Sequence, residues 1–104
     1  MPLFLSISRH MPENCPVFNA KTRKVYMNWY SKLEGILKKH GVRLIWGGSV
    51  YTEHLSVYVF EAPSLEAFQK ATFEPDFDAI HEYETVETKL VASMEDAMKT
   101  LSEL

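Results

Sequence analysis

Residues 42–62 read VRLIWGGSVYTEHLSVYVFEA and contain two apolar runs with alternating side chains, at about Val42–Tyr51 and His54–Ala62. Only two residues separate the runs, so this segment predicts two antiparallel strands joined by a hairpin. The connection lacks the Asn-Gly pair that tight turns favour, which allows a loop longer by one or two residues. Gly47 and Gly48 predict a β-bulge inside the first of these strands.

A helical pattern precedes the hairpin and another follows it. The first helix is predicted over Ala20–Lys39, with Asn19 as N-cap and Gly41 as the stop residue. The second is predicted over Ser64–Phe73, with Ser64 as its N-cap. On the first helix, apolar side chains recur at spacings of three, four or eight residues, and this periodicity predicts one apolar stripe along the helix. The stripe consists of Val25, Trp29, Leu33, Ile36 and Leu37.

Two further strands complete the pattern, at about Leu3–His10 and Tyr83–Ala92, and a last helix begins after Ser93. Residues 73–78 are predicted as a loop or short turn. The element order is therefore β-α-β-β-α-β-α, in which two βαβ units share the hairpin. This order predicts an α+β, ferredoxin-like domain over residues 1–104. The expected sheet is four-stranded and antiparallel in the order 4-1-3-2, with both main helices on one face.

The alternation also predicts which side chains face the helices. The helix-facing set is predicted as Leu3, Leu5, Ile7, Leu55, Val57 and Val59, with Trp29 and Trp46 in the core. The open face then carries Phe4, Ser6, Ser8, His10, His54, Ser56, Tyr58 and Phe60, with Gly47 beside Tyr58. Such a face is too apolar to be simply solvated and too polar to be a dry core. A second copy that covers it is the simplest solution, so we expect a homodimer.

The element order and the opening of the second helix, APSLEAF at residues 62–68, resemble the dimeric α/β barrel superfamily. The resemblance covers nearly the whole chain, including the C-terminal helix. It implies two ferredoxin-like sheets packed face to face, and a cleft between sheet and helices or between the sheets. The superfamily includes antibiotic-biosynthesis-type monooxygenases, haem-degrading enzymes, isomerases and ligand-sensing domains. The first strand has no asparagine, which counts against the haem-degrading branch.

In the order 4-1-3-2, the third and fourth strands begin at the sheet edge where the first strand ends. Three of the four histidines are predicted at this edge: His10, His54 and His81. His40 falls at the opposite edge. Glu13 and Cys15 lie in the loop that leaves His10 and can reach the same region. Imidazoles with a carboxylate or thiolate nearby suit Zn²⁺, Fe²⁺, Ni²⁺ or Cu²⁺, so we expect a metal or small-ligand site here.

Other functions fit the same residues. His10 or His54 would serve as acid and base in a cofactor-independent enzyme of the monooxygenase or isomerase type, oriented by Glu13 or Glu53. The side chains expected to line its cleft are Ser8, Ser56 and Tyr58. Cys15 would be a nucleophile with His10 as its base. A third alternative is a structural or regulatory interaction module without a site.

Composition narrows the class of protein. The chain has 104 residues, of which 46% are hydrophobic and 24% charged, and this excludes disordered and collagen-like classes. The single cysteine cannot form a disulfide within the chain, which predicts a reduced, cytoplasmic setting. No run approaches the ~18 apolar residues of a membrane span. The net charge of −3 argues against nucleic acid as a partner.

Overall fold

The computed structural model describes residues 1–104 and contains four strands and four α-helices. In chain order these are β1 (Leu3–His10), α1 (Ala20–Lys39), β2 (Arg43–Val50), β3 (Leu55–Glu61), α2 (Leu65–Thr72), α3 (Pro75–Asp78), β4 (Glu84–Val91) and α4 (Met94–Ser102). Three short 3₁₀ turns lie at Pro12–Asn14, Tyr51–Glu53 and Ala79–Glu82. The predicted order of elements is confirmed.

The strands form one antiparallel sheet in the order β2-β3-β1-β4, which is the predicted order written in reverse. Arg9 near the end of β1 pairs with Leu55 at the start of β3. His10, the last residue of β1, pairs with Glu84 at the start of β4. The end of β1 therefore meets the beginnings of β3 and β4 at one sheet edge, as the topology requires.

The helix ends follow from local chemistry. The Asn19 side chain accepts hydrogen bonds from the backbone N–H groups of Lys21 and Thr22, which α1 itself leaves unpaired. Gly41 follows α1 with a φ of 70°, a conformation that favours glycine. Ser64 caps α2 in the same manner. These predicted helix boundaries are confirmed.

The predicted assignment of the two sheet faces is wrong. Phe4 of β1 stacks on Phe68 of α2, with ring centroids 5.3 Å apart. Phe60 of β3 contacts the same ring at 5.1 Å. The set that includes the aromatic side chains therefore faces the helices, and the aliphatic set Leu3, Leu5, Ile7, Leu55, Val57 and Val59 lies on the open face. Alternation separates the two sets, but it does not say which set meets the helices.

Trp46 does not face the helices as predicted. The β-bulge lies between Leu44 and Trp46, just before the glycine pair. Trp46 itself pairs with Val59, as the predicted register requires, and the reversal of the two faces puts both side chains on the open face. There its ring covers Gly48, where a Cβ atom would lie only 2.7 Å from the indole. Gly47 does lie against Tyr58, but on the helix side of the sheet. The prediction that Trp29 belongs to the core is confirmed.

The predicted loop at residues 73–78 contributes to the core. It forms α3, and the 3₁₀ turn after it leads into β4. Phe77 and Ile80 are buried at 3% and 2% exposure, and both pack into the aromatic cluster between sheet and helices. None of the helices combines the length and the apolar character that a membrane span needs.

Candidate metal centre and adjoining cleft

The histidines at the ends of two neighbouring strands lie against each other. His10 ends β1, and His54 directly precedes β3. The backbone N–H of His10 donates to the carbonyl oxygen of His54 over 3.1 Å. The two imidazole rings have centroids 5.3 Å apart and stand nearly perpendicular, at 76°. The structure thus brings together the two histidines that the sequence placed at this edge.

His54 has an unusual backbone conformation. Its φ and ψ are 52° and 46°, in the left-handed region, and it is the one residue other than glycine with a positive φ. A non-glycine residue in this region is uncommon, although histidine occurs there more often than most. The 3₁₀ turn at Tyr51–Glu53 ends at His54 and makes the hairpin connection longer than two residues, as the turn chemistry had allowed.

Cys15 lies in a loop that α1 holds in place. The backbone N–H of Asn19 donates to the carbonyl oxygen of Cys15 over 2.8 Å, and the Asn19 side chain donates to the carbonyl oxygen of Glu13 over 3.0 Å. The guanidinium of Arg23 donates to the next two carbonyl oxygens in the loop, each over 2.9 Å. Cys15 is 5% exposed. The loop therefore fixes a buried thiol beside the histidine pair.

His10, Cys15 and His54 each offer one ligand atom, and these three atoms lie within 4.8 Å of one another. His10 Nε2 and His54 Nδ1 are buried and have no hydrogen-bond partner. Burial lowers the pKa of His10, and the neighbouring His54 lowers it further. Both effects favour the neutral imidazole, which is the form that binds metals. We call this group the His10/Cys15/His54 cluster.

The cluster leaves out some of the side chains predicted for the site. His81 Nδ1 donates to Asp78 Oδ1 over 2.9 Å, and His81 lines a different cavity, so it does not join the other two histidines. The Glu13 side chain is exposed, and Glu13 contributes only the backbone carbonyl that accepts a hydrogen bond from Asn19 in the loop around Cys15. His40 pairs with Glu74 at the far end of α1, which agrees with its exclusion.

The predicted cleft residues do lie near the cluster, although on the helix side of the sheet. Ser56 and Tyr58 line a cavity of about 130 Å³ together with the cluster. Ser8 is buried and lines the neighbouring cleft, where Tyr58 is also found. Ser56 exchanges a hydrogen bond with Ser49 across the hairpin, with 2.9 Å between the oxygens. Because the two sheet faces are the reverse of the prediction, these side chains lie in the interior and not on the open face. In the interior a site can enclose a ligand.

Tyr26 and Glu84 are site residues that the sequence reasoning missed. The Tyr26 hydroxyl donates to Glu84 Oε2 over 2.5 Å, whereas Glu84 Oε1 is buried without a partner. Burial raises the pKa of Glu84, while the hydrogen bond from Tyr26 opposes the shift. Burial and the bond to Glu84 also raise the pKa of Tyr26. The alternation Val86, Thr88, Leu90 extends back to Glu84, and this signal would have placed the carboxyl on the same face of the sheet as those side chains.

A cleft of about 230 Å³ lies between the sheet and the helices. Aromatic side chains form part of its walls, among them Trp29, Tyr58, Phe60, Phe68 and Phe77. Two buried polar atoms on these walls have no hydrogen-bond partner: Trp29 Nε1 and Glu84 Oε1. Native proteins leave few such groups unpaired, so the cleft has the polar features of a small-molecule site.

Comparison with known proteins identifies the fold. No family model matches the sequence, and no curated protein matches it. Solved structures do match: an antibiotic biosynthesis monooxygenase has a TM-score of 0.58 and 10% identity, covering 90% of this chain and 99% of that chain. A protein of unknown function from Rhodopseudomonas palustris has a TM-score of 0.56 and 14% identity, with coverages of 88% and 84%.

SnoaB, a cofactor-independent oxygenase from Streptomyces nogalater, has a TM-score of 0.52 and 13% identity. The match covers 89% of this chain and 92% of SnoaB. These likenesses confirm the predicted ferredoxin-like fold. Since one fold hosts many activities, the function has to be argued from the site.

Proposed function

We propose that this protein binds one divalent transition-metal ion through His10, Cys15 and His54. The observation that carries the proposal is the convergence of two imidazoles and a thiol from separate parts of the chain. Their ligand atoms lie within 4.8 Å of one another. A tetrahedral ion holds nitrogen at about 2.0 Å and sulfur at about 2.3 Å, so ligand atoms lie roughly 3.5 Å apart. The ligand atoms must therefore move closer together when the ion binds.

The unpaired nitrogens give a physical reason for a ligand. A buried polar group without a partner costs about 1–3 kcal/mol, and the cluster contains two such atoms, His10 Nε2 and His54 Nδ1. The two rings do not form a hydrogen bond with each other, so both nitrogens lack a partner in the folded chain. A metal ion satisfies both nitrogens and the thiolate at once.

The donor set favours the borderline ions Zn²⁺, Cu²⁺, Ni²⁺ and Fe²⁺. Imidazole and thiolate suit these ions, whereas Mg²⁺ and Ca²⁺ take oxygen ligands. No carboxylate lines the cavity at the cluster. A cysteine ligand must remain reduced, and for this reason we place the protein in the cytoplasm.

Elemental analysis of untagged protein tests the metal site. We expect close to one ion per chain in the native protein and little in His10→Ala, His54→Ala and Cys15→Ser, because two remaining ligands hold these ions weakly. His81→Ala is the matched control, and it should retain the ion because His81 lies outside the cluster. Native protein that takes up none of the four ions during incubation would contradict the proposal.

We also propose a homodimer in which a second copy covers the open face of the sheet. The centre of that face is aliphatic, and Trp46 beside it is 59% exposed. Ion pairs of Glu87 with Arg9 and with Lys89 lie at the β4 side, at 3.3 and 2.7 Å. An apolar centre with a charged rim is the usual anatomy of a protein interface.

A metal-free enzyme is the second candidate function, and the unpaired atoms of the cleft favour it. Trp29 Nε1 can donate to a substrate, and Glu84 Oε1 can exchange a proton with it. Two of the similar structures are described as monooxygenase or oxygenase. In this alternative His10 or His54 acts as the acid or base. The elemental analysis separates the candidates, since only the metal site predicts an ion that the variants lose.

A further inference from the structure

We propose that the ion bound by the His10/Cys15/His54 cluster keeps one coordination position open and binds a small monovalent anion there. This inference rests on the proposed metal site and adds the class of its exogenous ligand. Hydroxide, azide and thiocyanate belong to that class.

The number of protein ligands is the first argument. The cluster contains His10, Cys15 and His54 and no fourth histidine, cysteine or carboxylate. Structural zinc sites are closed by four protein ligands, whereas sites with three leave the fourth position to water or substrate. With three protein ligands, this site therefore belongs to the sites that leave one coordination position open.

The space beside the cluster is the second argument. A cavity of about 130 Å³ adjoins all three ligands, so protein atoms do not fill the fourth position. Drug-sized molecules occupy pockets of about 300–1,000 Å³, which is well above this size. Val17 and Tyr51 line the cavity and are 53% and 77% exposed, which gives it a mouth to solvent. The volume fits an ion of a few atoms.

The net charge of the metal site determines whether the exogenous ligand is an anion or a cation. A divalent ion with one bound thiolate has a net charge of +1, and the walls of the cavity carry no acidic or basic side chain other than the ligands themselves. Glu84 does not line the cavity; it lies behind Tyr26, whose hydroxyl donates to it. This net positive charge attracts an anion. Ser56 and Tyr58 on the walls offer hydroxyl donors to it.

Cobalt-substituted protein tests the inference directly. Wild-type chain with one equivalent of Co²⁺ should show a thiolate-to-cobalt charge-transfer band, which Cys15→Ser should lack. Titration with azide and then thiocyanate should shift the visible d–d bands in a saturable manner, at a stoichiometry of one anion per ion. A charge-transfer band with d–d bands that neither anion changes would overturn the inference and leave the metal site standing. Absence of the charge-transfer band would overturn both.

A cavity-filling variant locates the anion. Ser49 lines the cavity on the exposed edge strand β2, so Ser49→Leu should reduce the volume without removing a metal ligand. We expect azide affinity to fall at least fivefold while cobalt affinity changes little. Ser31→Leu, at an exposed position of α1 outside the cavity, is the matched control and should keep the wild-type azide affinity. Equal azide affinities in the two variants would place the anion elsewhere and contradict the proposal.

Discussion

Single residues decide which side chains form the site. Cys15 joins the histidine pair because hydrogen bonds from Asn19 and Arg23 fix its loop. His81 does not, because it pairs with Asp78 within its own turn. A local sequence pattern places all of these residues near one sheet edge, but it does not determine the direction in which each side chain points.

Glu84 is the residue whose surroundings give a pH-dependent prediction for the metal-free protein. Its folded-state pKa is raised, mainly by burial, above the value of about 4.3 for a free glutamate. The stability that it contributes is therefore present below pH ~4.3 and is lost as the pH rises through the folded pKa. Glu84→Gln removes the charge and keeps an oxygen that accepts from Tyr26. We expect thermal unfolding of the variant at or near the wild-type midpoint at pH 4, and a few degrees higher at pH 8.

Glu82→Gln is the matched control for this experiment. Glu82 is exposed, two residues before Glu84, and its substitution should change the midpoint little at either pH. A Glu84→Gln variant that is less stable than wild type at pH 8, or shifted equally at both pH values, would show that burial does not penalise the ionised carboxylate.

At the scale of elements, α1 links the fold to the site. Its N-cap, Asn19, pairs two backbone N–H groups of the first turn and also holds the loop that contains Cys15. The same side chain thus stabilises the helix and positions a metal ligand. The boundaries of α1 were predictable, because capping and stop signals act within a few residues. The second role was not, because it depends on how the loop folds back.

Asn19→Ala tests this double role. Loss of an N-cap costs about 1 kcal/mol, which lowers the unfolding midpoint of a domain this size by roughly 4–8 °C. We expect that decrease in thermal denaturation, together with weaker metal binding than in wild type. Asn28→Ala, at an exposed position inside α1, should lower the midpoint much less and leave metal binding unchanged. Equal effects of the two substitutions would show that the cap contributes nothing beyond helix propensity.

At the scale of the whole molecule, both faces of the sheet are apolar. The aromatic face packs on the helices, whereas the aliphatic side chains of the open face are only half-buried. Helix α4 likewise buries none of its residues, although Met94, Met98 and Leu101 form an apolar stripe. A single copy therefore leaves two apolar surfaces in contact with water, which favours assembly.

Val57→Glu tests the homodimer. Val57 lies at the centre of the open face, between Ile7 of β1 and Gly48 of β2. An uncompensated charge buried in an interface costs about 3–5 kcal/mol, which weakens association roughly 10²–10⁴-fold. Sedimentation equilibrium should give twice the 12.0 kDa chain mass for wild type and the single mass for the variant.

Met27→Glu is the control for assembly, because Met27 is 66% exposed on the outer side of α1. It should remain dimeric. A wild-type protein of single-chain mass at micromolar concentration, or a Val57→Glu protein that stays dimeric, would contradict the proposed interface.

The sequence by itself determined the order and the ends of the elements, the strand order, and the sheet edge where His10 and His54 meet. Alternation, helical spacing, capping residues and the connection rules are local or topological, so they can be read before packing is known. Only the tertiary structure decided that the aromatic face lies under the helices, that Cys15 joins the two histidines, and that Glu84 is buried behind Tyr26. These outcomes depend on side-chain volume and on contacts between distant segments, and local sequence patterns do not report either.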